Sequence, residues 1–278
     1  MNPRSLRLAV FASHPIQYQA PVWRRLAKDP RVDLLVHYFS DMSVRGAVDP
    51  DFGVPVAWDQ PLLDGYRHVF LARDSNLGRP LGVKLRDLEA YLPNFDAVFI
   101  NGYSYGFELQ IRRAAPRLGV PLIMRPEVSA IPAGSPFRRF TRRLLQRWFF
   151  SGVDAFGVLG EQARRCLASA GVPPGKMFRS PYAVDSDVFQ PNPLGRKGAR
   201  RMLGVSSDRF LLMFSGKLIP RKNPRLVLQA LERMPERSRI SFLVVGDGPL
   251  RAQLEREGRR ILGGNILFAG FQNQSRLS

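Results

Sequence analysis

Phe210-Leu-Leu-Met-Phe-Ser-Gly-Lys-Leu-Ile-Pro-Arg-Lys-Asn-Pro-Arg-Leu-Val-Leu-Gln-Ala-Leu231 is the stretch whose reading decides the fold. Its first residues form an apolar run too short for a helix and suited to a buried strand. Ser215 and Gly216 end that run. Lys217, Arg221 and Lys222 then crowd a turn holding Pro220. Beyond it, Leu226, Val227, Ala230 and Leu231 recur at helical spacing, with Asn223 placed as N-cap and Pro224 as first helical residue. The unit is strand, basic loop, helix N-terminus. Such a terminus offers unpaired backbone N–H groups and the positive end of the helix dipole, and so favours anions. Three added cations predict a phosphate-bearing ligand, although a solvated basic turn fits the residues equally well.

Outward from this loop, Ile240 to Val245 predicts a second buried strand running into Gly246-Asp247-Gly248-Pro249. A helix is expected from about Leu250 to Ile261, and a third strand within Asn265 to Phe271. Strands alternating with helices imply parallel βαβ units with right-handed crossovers. Ligands bind beyond the carboxyl ends of such strands, the edge shared by the basic loop and the glycine turn.

On these residues the chain resembles the family 4 glycosyltransferases of the GT-B fold. Their second domain carries a Gly-Arg-Leu…Lys-Gly loop, a Gly-x-Gly-Pro turn and a strand ending in Gly-x. The counterparts are Gly216-Lys-Leu-Ile-Pro-Arg-Lys-Asn, Gly246-Asp-Gly-Pro and Phe268-Ala-Gly-Phe. The resemblance implies donor binding by Gly216, Lys217, Arg221, Lys222, Gly246 and Gly248, with Lys217 and Lys222 on the diphosphate of a nucleotide sugar. Two positions depart from the pattern. Lys217 stands for the usual arginine, keeping the charge without the bidentate fork. Asn223 stands where glycine is usual.

The chain opens on a strand, Arg7 to Ala12, which runs into Ser13-His14-Pro15-Ile16-Gln17-Tyr18 and a helix to about Lys28. A second strand covers Arg31 to Phe39, and Ser40 to Asp64 reads as a long turn-rich excursion. A helix from about Gly82 to Leu92, a strand Ala97 to Ile100, a helix to about Leu118 and a strand Val120 to Met124 follow. The last ends in Arg125-Pro126-Glu127. This opening, with Trp58 to Tyr66, resembles glycosyltransferases that begin Ser-His-Pro-Ile-Gln-Tyr. Relatives of this fold often carry a catalytic histidine after Met124; here Arg-x-Glu stands instead. The catalytic candidates are therefore Glu127, as a base or acceptor-orienting group, and His14. An Arg125–Glu127 ion pair and a hydrogen-bonded loop histidine are equally weighted readings of the same residues.

Pro136 to Phe150 interleaves Phe137, Phe140, Leu144, Leu145 and Trp148 with five arginines and no acid. Such a helix can lie on an anionic membrane or pack on its own sheet. Strands at Val153 to Leu159 and Met177 to Arg179 complete the first half. Tyr182 to Pro193 resembles the family's interdomain signature, Asn-Gly-Val-Asp…Phe-x-Pro, with Tyr182-Ala183 for Asn-Gly. The expected fold class is α/β: two Rossmann-like domains of GT-B type, the second incomplete. Residues 1–190 form an acceptor-side domain and 191–278 a partial donor-nucleotide domain. The family's Glu-x7-Glu motif does not occur before Ser278, so activity impaired by truncation is expected.

With 278 residues, 45% of them hydrophobic, the chain has ample core. A net charge of +19 points to polyanions, acidic membranes or phosphorylated ligands. The lone Cys166 excludes an internal disulfide. Neither a signal peptide nor a membrane span is evident, so a cytoplasmic, membrane-peripheral protein is expected. The resemblance implies a retaining, metal-independent hexosyltransferase without a cofactor. Its partners would be a nucleotide-diphosphate-sugar donor and a lipid or glycan acceptor. The alternative is a non-catalytic basic binding protein for anionic membrane or nucleic acid. No helix-turn-helix, zinc spacing or RNP-like motif supports nucleic acid.

Overall fold

The computed structural model describes residues 4–46, 48–49, 54–55, 58–71, 85, 87–128, 135–186, 189–190 and 192–277. Two compact units are present, one of residues 1–45 and 61–185, the other of residues 46–60 and 186–278.

The first unit is built on seven parallel strands: β1 (Leu6–Ala12), β2 (Val32–Tyr38), β3 (Arg67–Phe70), β4 (Ala97–Ile100), β5 (Leu122–Met124), β6 (Ala155–Val158) and β7 (Met177–Arg179). Their order is β3-β2-β1-β4-β5-β6-β7. β1 is in the middle, paired with β2 from Leu6↔Val32 to Ala12↔Tyr38 and with β4 on its other side. Its last five residues are buried, which is why it reads as a continuous apolar run. Helices α1 (Ala20–Ala27), α2 (Gly106–Arg117), α3 (Pro136–Phe150) and α4 (Glu161–Ser169) connect the strands. One large core joins Phe11, Ile100, Phe107, Ile111, Met124 and Phe156.

The chain leaves β1 toward β2 on one side, and the later strands add on the other. The order therefore reverses between β1 and β4. A crevice opens at such a switch point, beyond the carboxyl ends of the two strands.

β3 falls between the stretches assigned in the sequence and is an edge strand whose side chains alternate between exposed and half-buried. The helix expected from Gly82 falls partly outside the described residues, and its described part is one turn at Leu88–Tyr91 followed by a 3-10 turn. Among the described side chains of α3 only the C-terminal Phe149 and Phe150 are buried, while Phe137, Phe140, Leu145 and Trp148 stay exposed.

The second unit has three parallel strands, β8 (Phe210–Ser215), β9 (Ile240–Val245) and β10 (Ile266–Gly270), with β9 in the middle. Helices α5 (Pro193–Met202), α6 (Arg225–Glu232) and α7 (Arg251–Leu262) accompany them. Every residue of β9 is buried. β8 was expected to be buried as well, but it lies at the edge, with Phe210 65% and Met213 51% exposed. Leu218, Leu228, Phe242, Val244 and Leu254 form the core. α5 was not expected. Asn192 caps it by accepting the Gly195 N–H at 2.8 Å, and Pro193 occupies its first turn. Residues 46–60, read in sequence as an excursion of the first domain, group with this unit. Within it the Asp59 carboxylate accepts the Ser275 N–H at 3.3 Å, and Trp58 meets Phe271 edge-on. Asp187, Val188 and Pro191 of the interdomain signature lie outside the described residues.

Candidate functional site

The crevice predicted by the strand order is present. A cleft of about 400 Å³ is lined by Ser13, Tyr18 and Gln19 beyond β1, by Asn101 and Tyr103 beyond β4, and by Glu127 beyond β5. Gln19 is 1% exposed, and both polar atoms of its amide lack a hydrogen-bond partner. Arg125 is also buried. Its Nε donates to Asn101 Oδ1 at 3.0 Å, while Nη2 has no partner. Buried polar groups in folded proteins are nearly always paired, so unpaired ones beside a cleft mark where a ligand or water belongs.

Glu108 lines the same cleft from the first turn of α2. Its Oε2 accepts the Tyr105 N–H at 2.8 Å, folding the carboxyl back under the helix start. Burial pushes its pKa up to about 7, against the lowering effect of the Tyr105 and Ser104 N–H groups. At neutral pH this carboxyl is poised between its two forms and could take or give a proton.

Glu127 lines the cleft, as its strand-end position implied. It is exposed, and Arg125 turns to Asn101 instead of forming a buried ion pair with it. The Tyr182 hydroxyl donates to Glu127 Oε1. Burial, and then that hydrogen bond, raise the Tyr182 pKa far above the usual phenol value. Tyr18 packs edge-on against Tyr182 at 4.6 Å, and the Arg125 guanidinium lies 5.5 Å from the Tyr182 ring centre. His14 sits on the loop beyond β1, its Nδ1 3.0 Å from Ser13 Oγ. Ser13 lines the cleft and His14 does not. Gln19 and Glu108 were not singled out in the sequence, and Tyr182 was noted only as a departure from the interdomain signature. The Glu at the third helical position after Tyr105 was the one local signal available.

In the second unit the basic loop and the glycine turn pack on each other. Gly216 N–H donates to Val245 O at 2.9 Å and Leu218 N–H to Asp247 O at 2.9 Å; Leu250 N–H returns to Leu218 O at 3.0 Å. A Cβ on Gly248 would stand 2.8 Å from Leu218 O, and one on Gly246 would overlap Gly216 O. The space over these two glycines is thus filled by the chain itself. Over Gly216 only the Phe214 ring is near, at 3.8 Å. Asp247 is held by Arg251, which donates to it at 2.7 Å and to Glu255 at 3.0 Å.

Pro220–Lys222 forms a 3-10 turn that presents Arg221 and Lys222 to solvent, with Lys217 half-buried before it. Asn223 is not the N-cap of α6. It adopts a left-handed backbone, φ 47° and ψ 50°, and Pro224 takes the cap position. Asn is among the few non-glycine residues that visit this region readily. The departure from glycine noted in the sequence is therefore conformationally conservative.

Residues 65–183 match the family model for the Glycosyl transferase 4-like domain, and residues 196–278 match Glycosyl transferases group 1. The chain belongs to the group 1 glycosyltransferases. Among glycosyltransferases it is similar to EpsF of Bacillus subtilis (strain 168), with 24% identity over 228 residues, 79% of this chain and 59% of EpsF. A D-inositol 3-phosphate glycosyltransferase of Geodermatophilus obscurus is 37% identical over 91 residues, 31% of this chain and 20% of that protein. The chain thus spans less than two thirds of the length of these relatives. The crystal structure of Anabaena Alr3699/HepE in complex with UDP superposes with a TM-score of 0.67 at 15% identity, covering 98% of this chain and 71% of that one. The α/β class and GT-B fold read from the sequence hold for this chain.

Proposed function

We propose that the protein moves a sugar, of hexose type, from a nucleotide-diphosphate donor to an acceptor hydroxyl, with retention and without a catalytic metal. The observation that carries this reading is the loop pair at the carboxyl ends of β8 and β9, where Lys217, Arg221 and Lys222 gather beside the open backbone of Gly216. The likeness to a solved neighbour bound to UDP supports the donor class. As the sugar–oxygen bond breaks, charge builds on the departing diphosphate. A cation at that point is worth more in the transition state than in the ground state and so speeds transfer. In the first unit, Glu127 and Glu108 are the groups able to accept the acceptor's hydroxyl proton. The acceptor is a lipid or glycan. The exposed apolar and arginine side chains of α3 support peripheral contact with an anionic membrane, and no helix among the described residues is long and apolar enough to cross one. The two glycosyltransferase matches favour transfer over a non-catalytic basic binding role.

Titration with UDP tests the donor site. Lys222→Ala is expected to weaken UDP binding about tenfold, the loss of one charge-assisted hydrogen bond, with unchanged circular dichroism. Transfer from a radiolabelled UDP-hexose should fall at least as far. Equal UDP affinity in the variant would refute the assignment.

A further inference from the structure

We propose that the first unit holds one amphiphilic acceptor in two joined compartments, with a hydroxylated head in the polar cleft and a hydrocarbon chain in an apolar groove along α3. The two are linked by a phosphate ester at Arg142. This inference rests on the sugar-transfer reading and specifies its acceptor.

The groove has a volume of about 330 Å³ and is walled by Leu109, Leu145, Trp148 and Phe149. It has the size of a small ligand pocket. Tyr103, Ser104, Tyr105 and Arg142 line both the groove and the cleft. The two spaces therefore share a wall that includes Arg142. Opposite demands act at their far ends. In the cleft, Gln19 keeps an unpaired amide, and behind its lining residue Asn101 the buried Arg125 keeps an unpaired guanidinium nitrogen. In the groove, Leu145 is 65% and Trp148 47% exposed. A polar ligand would satisfy only the first and an alkane only the second. One molecule satisfies both only if it is polar at one end and apolar at the other.

Charge identifies the junction. Arg142, Arg143 and Arg147 are exposed on α3, a helix with no acidic residue. A guanidinium at the seam between a hydroxylated head and an alkyl chain matches a phosphate ester, to which it donates charge-assisted hydrogen bonds. The groove is also pre-formed. Arg112 donates from Nε to Phe149 O at 3.0 Å and stacks 4.3 Å from the Trp148 ring centre, fixing the end of α3. A wall fixed in this way lowers the ordering cost of binding.

The test uses the intact chain and a long-chain alkyl phosphate brominated at its far end, kept below its micelle concentration. Bromine quenches tryptophan on contact and so reports a chain beside Trp148. Saturable quenching is expected, absent in Trp148→Phe and not competed by inorganic phosphate. Leu145→Asp and Arg142→Glu, both on exposed side chains, should each weaken binding about tenfold. Joining a hexose to the phosphate should tighten binding about tenfold, and Gln19→Leu should remove that increment alone. Quenching that never saturates, that survives both α3 substitutions as adsorption to a basic surface would, or that ignores the hexose overturns the proposal. UDP titration of the same proteins separates the two readings. An unsubstituted chain that binds UDP but not the amphiphile refutes this inference, whereas absent UDP binding in the unsubstituted chain refutes sugar transfer.

Discussion

Alanine at Gly246 will break the loop pair of the second unit and abolish the UDP binding proposed for it. Two effects act together. Gly246 has φ 130°, a conformation that L side chains rarely adopt. Its Cβ would also overlap Gly216 O and stand 2.9 Å from Gly216 C, both backbone atoms with no rotamer to change. The backbone strain alone costs about 1–3 kcal/mol, and the clash raises the total to several. Either Gly246 N–H leaves Gly270 O, a 2.7 Å bond, or the basic loop leaves Val245. Gly264→Ala is the control, with nothing within 4 Å of the added carbon. Urea melts should show an early second-unit transition in the first variant and none in the second. A wild-type melt with wild-type UDP affinity for Gly246→Ala would show that the two loops do not approach as described.

Acidification should cost the first unit the stability that a neutral His37 contributes. This ring is 1% exposed, stacked on Phe11 at 4.3 Å, with Nδ1 3.1 Å from Val10 O and Nε2 2.6 Å from Tyr91 Oη. Burial lowers its pKa from 6.5 to about 4, only partly offset by the Val10 carbonyl. Above pH 6.5 the ring is neutral in folded and unfolded chains, and its contribution is constant. Between 6.5 and 4 the unfolded chain binds a proton that the folded one refuses, so stability falls as pH falls. The loss totals about 3 kcal/mol by pH 4. Glu108 acts in the opposite direction. Its raised pKa makes the folded state take a proton first, adding stability as pH drops from about 7 toward the ordinary carboxyl range. The two partly cancel in the native chain. His37→Gln should therefore show stability that rises on acidification, where the native protein stays flat or declines. Identical pH slopes for the two proteins would remove His37 from this role.

Burial decides which elements were legible in the sequence. β1, β2 and β9 are central or doubly covered, so their apolar runs announced them. β3 is an edge strand with half its side chains in solvent and left only a weak trace. α5 packs little, with Leu194 and Met202 exposed, so it lacks an apolar period and only its Asn192-Pro193 start betrays it. The candidate site divides in the same way. Ser13, Asn101 and Glu127 follow strands, and the rule that ligands bind beyond strand ends finds them. Gln19 and Glu108 lie at or just inside helix starts, and tertiary packing alone buries them. The resemblance implied donor binding by Gly216, Gly246 and Gly248. At Gly246 and Gly248 the space is taken by the neighbouring loop, a contact between segments far apart in sequence that no local pattern records.

The left-handed backbone at Asn223 also constrains how the gene can change. An asparagine codon reaches a glycine codon in two single-base steps, through aspartate or through serine. Aspartate tolerates the conformation but places a carboxylate next to Lys222 and near Arg221, opposing any bound phosphate. Serine leaves the charge alone but loses the local side-chain compensation that lets Asn occupy this region. Both intermediates carry a handicap that neither endpoint has. A lineage holding asparagine at this position is therefore held there by the genetic code, even where glycine would serve the loop as well.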